Sequence, residues 1–313
     1  MMNMESSVHE NALVRWAEEH PEALVLTMDL GPSCETKLFS KTFPDRYFNM
    51  GLAEQNAVGW AAGLAREGFR PYLHTFGVFL YRRALDQIEI SVAYPNLPVT
   101  FVTFVPGFTV GSGVTHQATN DVAVIRSLPN MTILDIGDAT DAESALDVAD
   151  KAGGPVWIRM LRKSIPRLFP QAEPMELNKG RIISEGTDVA VFSGSICTEE
   201  AIYAVKALQE KGLSVQHMHI STLKPFSDPA VLDSLKKVKY GAVTIENHTV
   251  IGGLGTCVAE VIAENGLNVK LLKLGLQDKY APCGSQKYLM KLYGMDANAL
   301  IQKIGELTGK VFL

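Results

Sequence analysis

Cysteine is scarce in this chain, and its four copies, Cys34, Cys197, Cys257 and Cys283, lie far apart with no CxxC pair among them. That spacing excludes a disulfide framework and offers no zinc site, so the thiols read as reduced and the chain as cytoplasmic. An excess of basic charge is also missing. With a net charge of −5 and 20% charged residues, neither nucleic acid nor an anionic membrane surface is expected as partner. No segment approaches the roughly 18 apolar residues of a membrane span. The opening MMNMESSVHENALVRWAEEH lacks the basic start and apolar stretch of a signal peptide. The string GxxxxGK[ST] is absent, which removes support for a nucleoside triphosphatase. His217 and His219 would share one strand face, but no third ligand accompanies them. They read as a surface or interface pair, and no metal site of the chain's own is expected.

What is present is a globular balance, 47% hydrophobic in 313 residues, long enough for two domains with separate cores. Helical and strand patterns alternate through ENALVRWAEEHP, ALVLTMDL, a small-residue helix from Leu52, RPYLHTF, VFLYRRALDQIEISVA, VTFVTFV, MTILDI, TDAESALDVADKA and GPVWIRM. The alternation restarts in VAVFSGS, EEAIYAVKALQEKG, LSVQHMHI, YGAVTIE, GTCVAEVIAENG and VKLLKLG. This pattern predicts an α/β fold of two domains, each a mostly parallel sheet flanked by helices. The expected divisions are a first domain over 1–165, a proline-bearing linker over 166–187 and a smaller domain over 188–313.

Three local features invite a functional reading. IENHTVIGGLG joins a strand, a glycine loop and a helix, but the third position of a GxGxxG string begun at Gly253 is Val258. Gly252, Gly253 and Gly255 are therefore expected to permit a close backbone approach rather than to hold a nucleotide. Glu54 begins a helix of small residues, where an acid can simply complement the macrodipole. The loop FTVGSGVTHQATND follows the strand VTFVTFV and sits where parallel sheets place ligands. Its glycines 107, 111 and 113 allow close approach, and His116 with Gln117 brings a titratable ring and an amide.

Taken in order, NMGLAEQNAVGWAAGLAREGFRPYLHTFGVF, RALDQI, GFTVGSGVTHQ, SLPNMTIL, GPVWIRM and IENHTVIGGLG resemble the transketolase family of thiamine diphosphate enzymes. The resemblance runs from about Asp29 to the last residues and covers the pyrimidine-binding and C-terminal domains of such an enzyme. The family's diphosphate-binding domain, with its GDG motif and later asparagine, has no counterpart, since IGDATD lacks the second glycine. The resemblance thus implies the beta-type subunit of a split transketolase. An N-terminal transketolase subunit would bring the diphosphate site, Mg²⁺ and half of the walls, in an alpha2beta2 heterotetramer. Together they would pass a two-carbon ketol unit from a ketose or ketose phosphate to an aldose.

The same resemblance implies roles. Glu54 pairs with N1′ of the aminopyrimidine and favours its imino tautomer, Phe79 stacks on that ring with Phe76 beside it, and Asp29 lies near the cofactor. His116 contacts the donor sugar and assists proton transfer, with Gln117 next to it. Ser33 and Arg159 match positions that bind substrate phosphate. Arg83 resembles an arginine used for phosphate in deoxyxylulose-phosphate synthases, and a helix-face ion pair is an equal reading of it. The chain departs from the family where specificity is set. Ser112 stands in place of an aspartate that contacts a donor hydroxyl, Val105 and Pro106 in place of a histidine, and Ser6 and Ser7 near a missing arginine. These gaps imply an atypical donor, such as a branched, deoxy or sulfonated ketose. Two other readings stay open: the beta subunit of a 2-oxoacid dehydrogenase, and a non-catalytic regulatory scaffold of the same fold.

Overall fold

The runs TFVTF at Thr100–Phe104 and VWIRM at Val156–Met160 show no in-and-out alternation, and every residue in them is buried. Such strands need cover on both faces, which crossover helices supply. The computed structural model describes residues 3–312. Its first half is built from β1 (Met4–Ser6), α1 (Val8–Glu18), β2 (Ala23–Thr27), α2 (Lys37–Thr42), β3 (Tyr47–Asn49), α3 (Glu54–Arg66), β4 (Arg70–Phe76) and α4 (Gly77–Gln87). There follow β5 (Thr100–Phe104), α5 (Asp121–Arg126), β6 (Thr132–Asp135), α6 (Ala139–Lys151), β7 (Val156–Met160) and β8 (Ser164–Pro166). The second half holds β9 (Arg181–Ser184), β10 (Val189–Ser193), α7 (Cys197–Glu210), β11 (Val215–His219), β12 (Thr222–Lys224) and α8 (Pro229–Lys236). It closes with β13 (Gly241–Thr249), α9 (Leu254–Glu264), β14 (Leu271–Leu276), α10 (Gln286–Leu292) and α11 (Ala297–Thr308).

The larger sheet has the order β12-β6-β7-β5-β4-β2-β3, and the smaller the order β14-β13-β10-β11-β9. Neighbours are parallel except at one edge of each sheet, where β12 runs against β6 and β9 against β11. The two-domain α/β architecture with mostly parallel sheets is therefore as expected. Its divisions are less clean than 1–165, 166–187 and 188–313. Strand β9 lies inside the expected linker yet completes the second sheet, and β12 leaves its own half to extend the first. The core follows suit: Met218, Ile220, Leu223 and Leu254 join the cluster built from β2, β4, β5 and β7.

Because the central strands of the first sheet are parallel, their carboxyl ends collect along one edge. The segments after β2, β3, β4, β5 and β7 all leave from there, and these carry Asp29 and Ser33, Glu54, Phe79, the glycine loop and Arg162 respectively. Ligands bind at that edge in open parallel sheets. Helix α4 is not the single regular helix that VFLYRRALDQIEISVA suggests. Ala84 has non-helical angles (φ −126, ψ 22), and a π-helical turn follows over Ile88–Ala93. Among the described residues, no helix is long and apolar enough to cross a membrane.

Candidate active site

Helix α3 packs Ala57, Val58, Ala61, Ala62 and Ala65 inward, and its small side chains let it sit close to the sheet. Its first residue, Glu54, is drawn in with them and is only 4% exposed. A buried carboxylate needs a partner, and Arg83 supplies it, with Nη1 donating to Oε1 at 2.6 Å. Gln55 fixes the backbone of that arginine by donating to its carbonyl at 2.9 Å. The guanidinium also lies 4.5 Å from the centroid of Phe79. Arg83 nevertheless keeps 49% of its side chain in solvent, so the pair is open on one side.

From Phe79 an aromatic wall continues. The Phe76 and Phe79 centroids are 5.6 Å apart, and His116 meets both edge-on, at 6.2 and 5.3 Å. Nδ1 of His116 is engaged with Thr115 Oγ1 at 2.8 Å. At the far end, the guanidinium of Arg162 stands 5.0 Å from the Phe76 ring, and its Nη1 donates to the carbonyl of Ser33 at 3.1 Å. Glu54, Arg83, Phe79, Phe76, His116, Arg162 and Ser33 thus form one continuous line of contacts. Arg83 bridges the carboxylate and the aromatic wall, and Arg162 sets a second cation against the other end of that wall.

Other expected site residues lie outside this line. Asp29, at a left-handed φ of +58, is tied to the end of β3: Asn49 Nδ2 donates to its carboxylate at 3.2 Å, and its own amide donates to Asn49 Oδ1 at 3.1 Å. Gln117 is turned inward, with Nε2 donating to Val110 O at 3.4 Å and Oε1 without a partner. Ser112 is exposed at the tip of the glycine loop.

Arg159 requires correction as a phosphate ligand. It is 1% exposed, and it donates from Nε to Asp121 at 2.9 Å, from Nη1 to Asp135 at 2.8 Å and from Nη2 to Asn247 O at 3.0 Å. Burial opposes its charge, but the two carboxylates outweigh it and hold the guanidinium above its ordinary range. Its fork is committed to joining β7 to β6, α5 and β13. Arg162, which no motif in the sequence marks, lies two residues beyond the end of β7 and therefore emerges at the ligand edge. A position past the carboxyl end of a strand, rather than within it, is the signal that separates the two.

The lookalike nucleotide loop has an internal explanation. Glu246 accepts from Leu254 N at 2.7 Å and from Gly255 N at 2.9 Å, so the first turn of α9 already holds a carboxylate. A Cβ at Gly253 would lie 2.0 Å from Glu246 Oε2, and one at Gly252 would lie 2.5 Å from Ala123 Cβ, which accounts for those glycines. Burial pushes Glu246 up to about 7 despite the two amide bonds. His217 and His219 are not a surface pair. Both are buried, His217 against Ser193 Oγ at 2.9 Å and His219 across the domain boundary against Asp141 Oδ2 at 2.9 Å.

Comparison with known proteins gives the family. Residues 4–167 match the family model of the transketolase pyrimidine binding domain, and residues 178–300 that of the transketolase C-terminal domain. A relative from Methanocaldococcus jannaschii, whose assigned name is that of a transketolase C-terminal section, is 37% identical over 297 residues, covering 94% of this chain and 93% of that one. A 6-deoxy-6-sulfo-D-fructose transketolase subunit, SqwH, from Clostridium sp. (strain MSTE9) is 35% identical over 297 residues, covering 95% and 92%. A solved structure described as a split gene transketolase in an inactive beta4 tetramer superposes with a TM-score of 0.89 at 34% identity, over 97% of each chain. The chain belongs to the transketolase family, as a pyrimidine-binding domain followed by a transketolase C-terminal domain.

Proposed function

We propose that this chain is one subunit of a thiamine diphosphate-dependent transketolase, active in an alpha2beta2 assembly with a partner that carries the diphosphate-binding domain and Mg²⁺. The observation that carries the reading is the buried Glu54 at the mouth of α3, beside the Phe79–Phe76–His116 wall and balanced by a half-exposed arginine. Those residues fit the aminopyrimidine end of the cofactor. The matched family models are those of the pyrimidine-binding and C-terminal domains, and in this reading the diphosphate and Mg²⁺ are held by the partner.

Bound thiamine diphosphate supplies the carbanion stabilisation that makes cleavage and transfer of a ketol unit feasible. The chain's own residues set it up. Glu54 would hold N1′ of the pyrimidine by a hydrogen bond, in the place that Arg83 Nη1 takes against its Oε1. Phe79 and Phe76 give the ring an apolar shelf, and Asp29 with Asn49 shapes the neighbouring turn. Since Thr115 occupies Nδ1 of His116, Nε2 is the nitrogen left to meet a donor hydroxyl or carbonyl and to move its proton. Arg162 and Ser33, with Arg83 once freed, receive the anionic end of the sugar, and Ser112 and Gln117 line the loop beside it.

Ser112 in place of the family aspartate motivates a donor other than an ordinary ketopentose phosphate, and a ketose ending in a sulfonate suits the same arginines. The test is donor competition in the assembled complex, with xylulose 5-phosphate and a 6-sulfo-ketose at equal concentration and a common aldose acceptor. Faster consumption of the sulfo-ketose is expected. Equal or faster use of xylulose 5-phosphate would remove the atypical donor, and reduction of an artificial electron acceptor by a 2-oxoacid would replace ketol transfer altogether.

A further inference from the structure

The side chains gathered around Glu54 and His116 come from the first domain, yet the C-terminal domain grips the glycine loop at its stem and at its tip. We propose that Asn247, near the end of β13, is a positioning residue that sets the loop over 106–119 and, through it, the place of His116. This rests on the reading of His116 as the donor-contacting residue.

Asn247 is 1% exposed and spends both halves of its amide on the start of the loop. Its Oδ1 accepts from Phe108 N at 2.9 Å, and its Nδ2 donates to Pro106 O at 3.0 Å. The residue between, Gly107, has φ +52, and a Cβ there would lie 2.1 Å from Asn247 Oδ1. Glycine is therefore required twice, for the left-handed backbone and for the approach of the amide. The end of the loop is tied to the same place. Gly107 N donates to Ala118 O at 2.8 Å, Thr249 N donates to Thr119 O at 2.7 Å, and Arg159 Nη2 spans from Asn247 O at 3.0 Å to Ala118 O at 3.4 Å.

The remainder of the loop is held from both domains, with Arg82 Nη1 of α4 donating to Val114 O at 3.0 Å and the C-terminal domain gripping the rest. Phe108 inserts into the C-terminal core, stacked 5.6 Å from Tyr293. At the tip, Gly284 N donates to Gly111 O at 3.1 Å, and a Cβ on Gly113 would lie 2.8 Å from Cys283 Sγ. His116 hangs between tip and stem, its amide donating to Gly113 O at 2.9 Å. A ring suspended this way takes its position from the loop's anchors, and the anchor at the stem takes its geometry from Asn247. A buried amide that satisfies one donor and one acceptor has no equivalent: aspartate keeps the acceptor and loses the donor, and leucine loses both.

The test uses the assembled complex with Asn247→Leu, Asn247→Asp and Gly107→Ala, read by donor kcat/KM, by the Kd for thiamine diphosphate, and by amide hydrogen exchange at Phe108. Asn247→Leu is expected to lower donor kcat/KM by about tenfold to a hundredfold. It should leave the cofactor Kd within about twofold and speed exchange at Phe108 by about tenfold or more. Asn247→Asp falls between leucine and the unmodified protein. Gly107→Ala strikes the same contact from the other side, so its effect combined with Asn247→Leu is less than the sum. Unchanged exchange and unchanged kcat/KM overturn the proposal. So does faster exchange with unchanged kcat/KM, which severs the stem from His116, and so does a parallel loss of melting temperature and cofactor affinity, which makes Asn247 a residue of the fold alone. Exchange is read separately from catalysis: a complex without ketol transfer sinks the functional reading, while faster Phe108 exchange in its Asn247→Leu form still supports the clamp.

Discussion

Arg159 and Arg162 differ in their surroundings because one lies within β7 and the other beyond its carboxyl end. The first is enclosed by Asp121, Asp135 and two carbonyls, and removing it strands two buried carboxylates. Arg159→Leu is expected to cost roughly 3–5 kcal/mol in urea unfolding, and Arg159→Lys to recover little of it, because an ammonium cannot reproduce the fork. Arg162→Ala should leave the unfolding midpoint almost unchanged and raise the KM for an anionic donor by about tenfold, the weight of one charge-assisted bond. The reverse pattern would return the anion to Arg159. Glu54, Phe79 and His116 were legible because each sits in a distinctive short string just beyond a strand. Arg162 was not, because a one-dimensional pattern names an arginine without saying where its strand stops.

Helix α1 and strand β4 are joined by a pair of buried histidines that no local pattern marks as paired. His74 Nδ1 lies 3.1 Å from Tyr72 O, a pure acceptor, so that nitrogen carries the hydrogen. Its Nε2 then accepts from His9 Nε2 at 3.0 Å, which leaves His9 Nδ1 as the bare nitrogen without a partner. Burial holds His74 down at about 4, and His9 is likewise held well below its ordinary value by burial and by the neighbouring ring. A histidine depressed in the folded state contributes stability above its ordinary 6.5 and loses it as pH falls toward 4. The unmodified protein should therefore lose about 4 kcal/mol more between pH 7 and pH 5 than His9→Leu/His74→Leu, about 2 kcal/mol for each histidine, read from urea midpoints at the two values. Equal losses would show that the pair does not titrate on unfolding. Glu246 acts oppositely, since a carboxyl raised to about 7 contributes below its ordinary 4.5 and loses that contribution as pH rises through 7. The apolar runs made the central strands legible. The three-residue β12 and four-residue β9 were not, because strands that short are defined by distant partners, β6 and β11, rather than by their own composition.

At the scale of the molecule, the segments that leave the carboxyl ends of the first sheet gather the candidate site along one edge. Helix α3 presents Trp60, 53% exposed, beside Gly59 and Gly63, at whose positions an added Cβ would meet nothing within 4 Å. The sequence made the domain pair legible through its order of strings, but not the grip of one domain on the other's loop. That grip depends on Asn247 and Gly107, residues 140 positions apart in the chain whose contact leaves no periodic trace. The isolated chain is expected to be inactive and to bind thiamine diphosphate weakly, gaining both properties with a partner that brings the diphosphate-binding domain. The most direct test of the proposed function is the rate of ketol transfer by the co-expressed complex with Glu54 intact and with Glu54→Ala. The expected result is transfer that requires both chains and thiamine diphosphate, with the rate falling by about a hundredfold or more in Glu54→Ala while assembly and melting temperature hold. An undiminished rate in Glu54→Ala, or full activity from this chain alone, would contradict it.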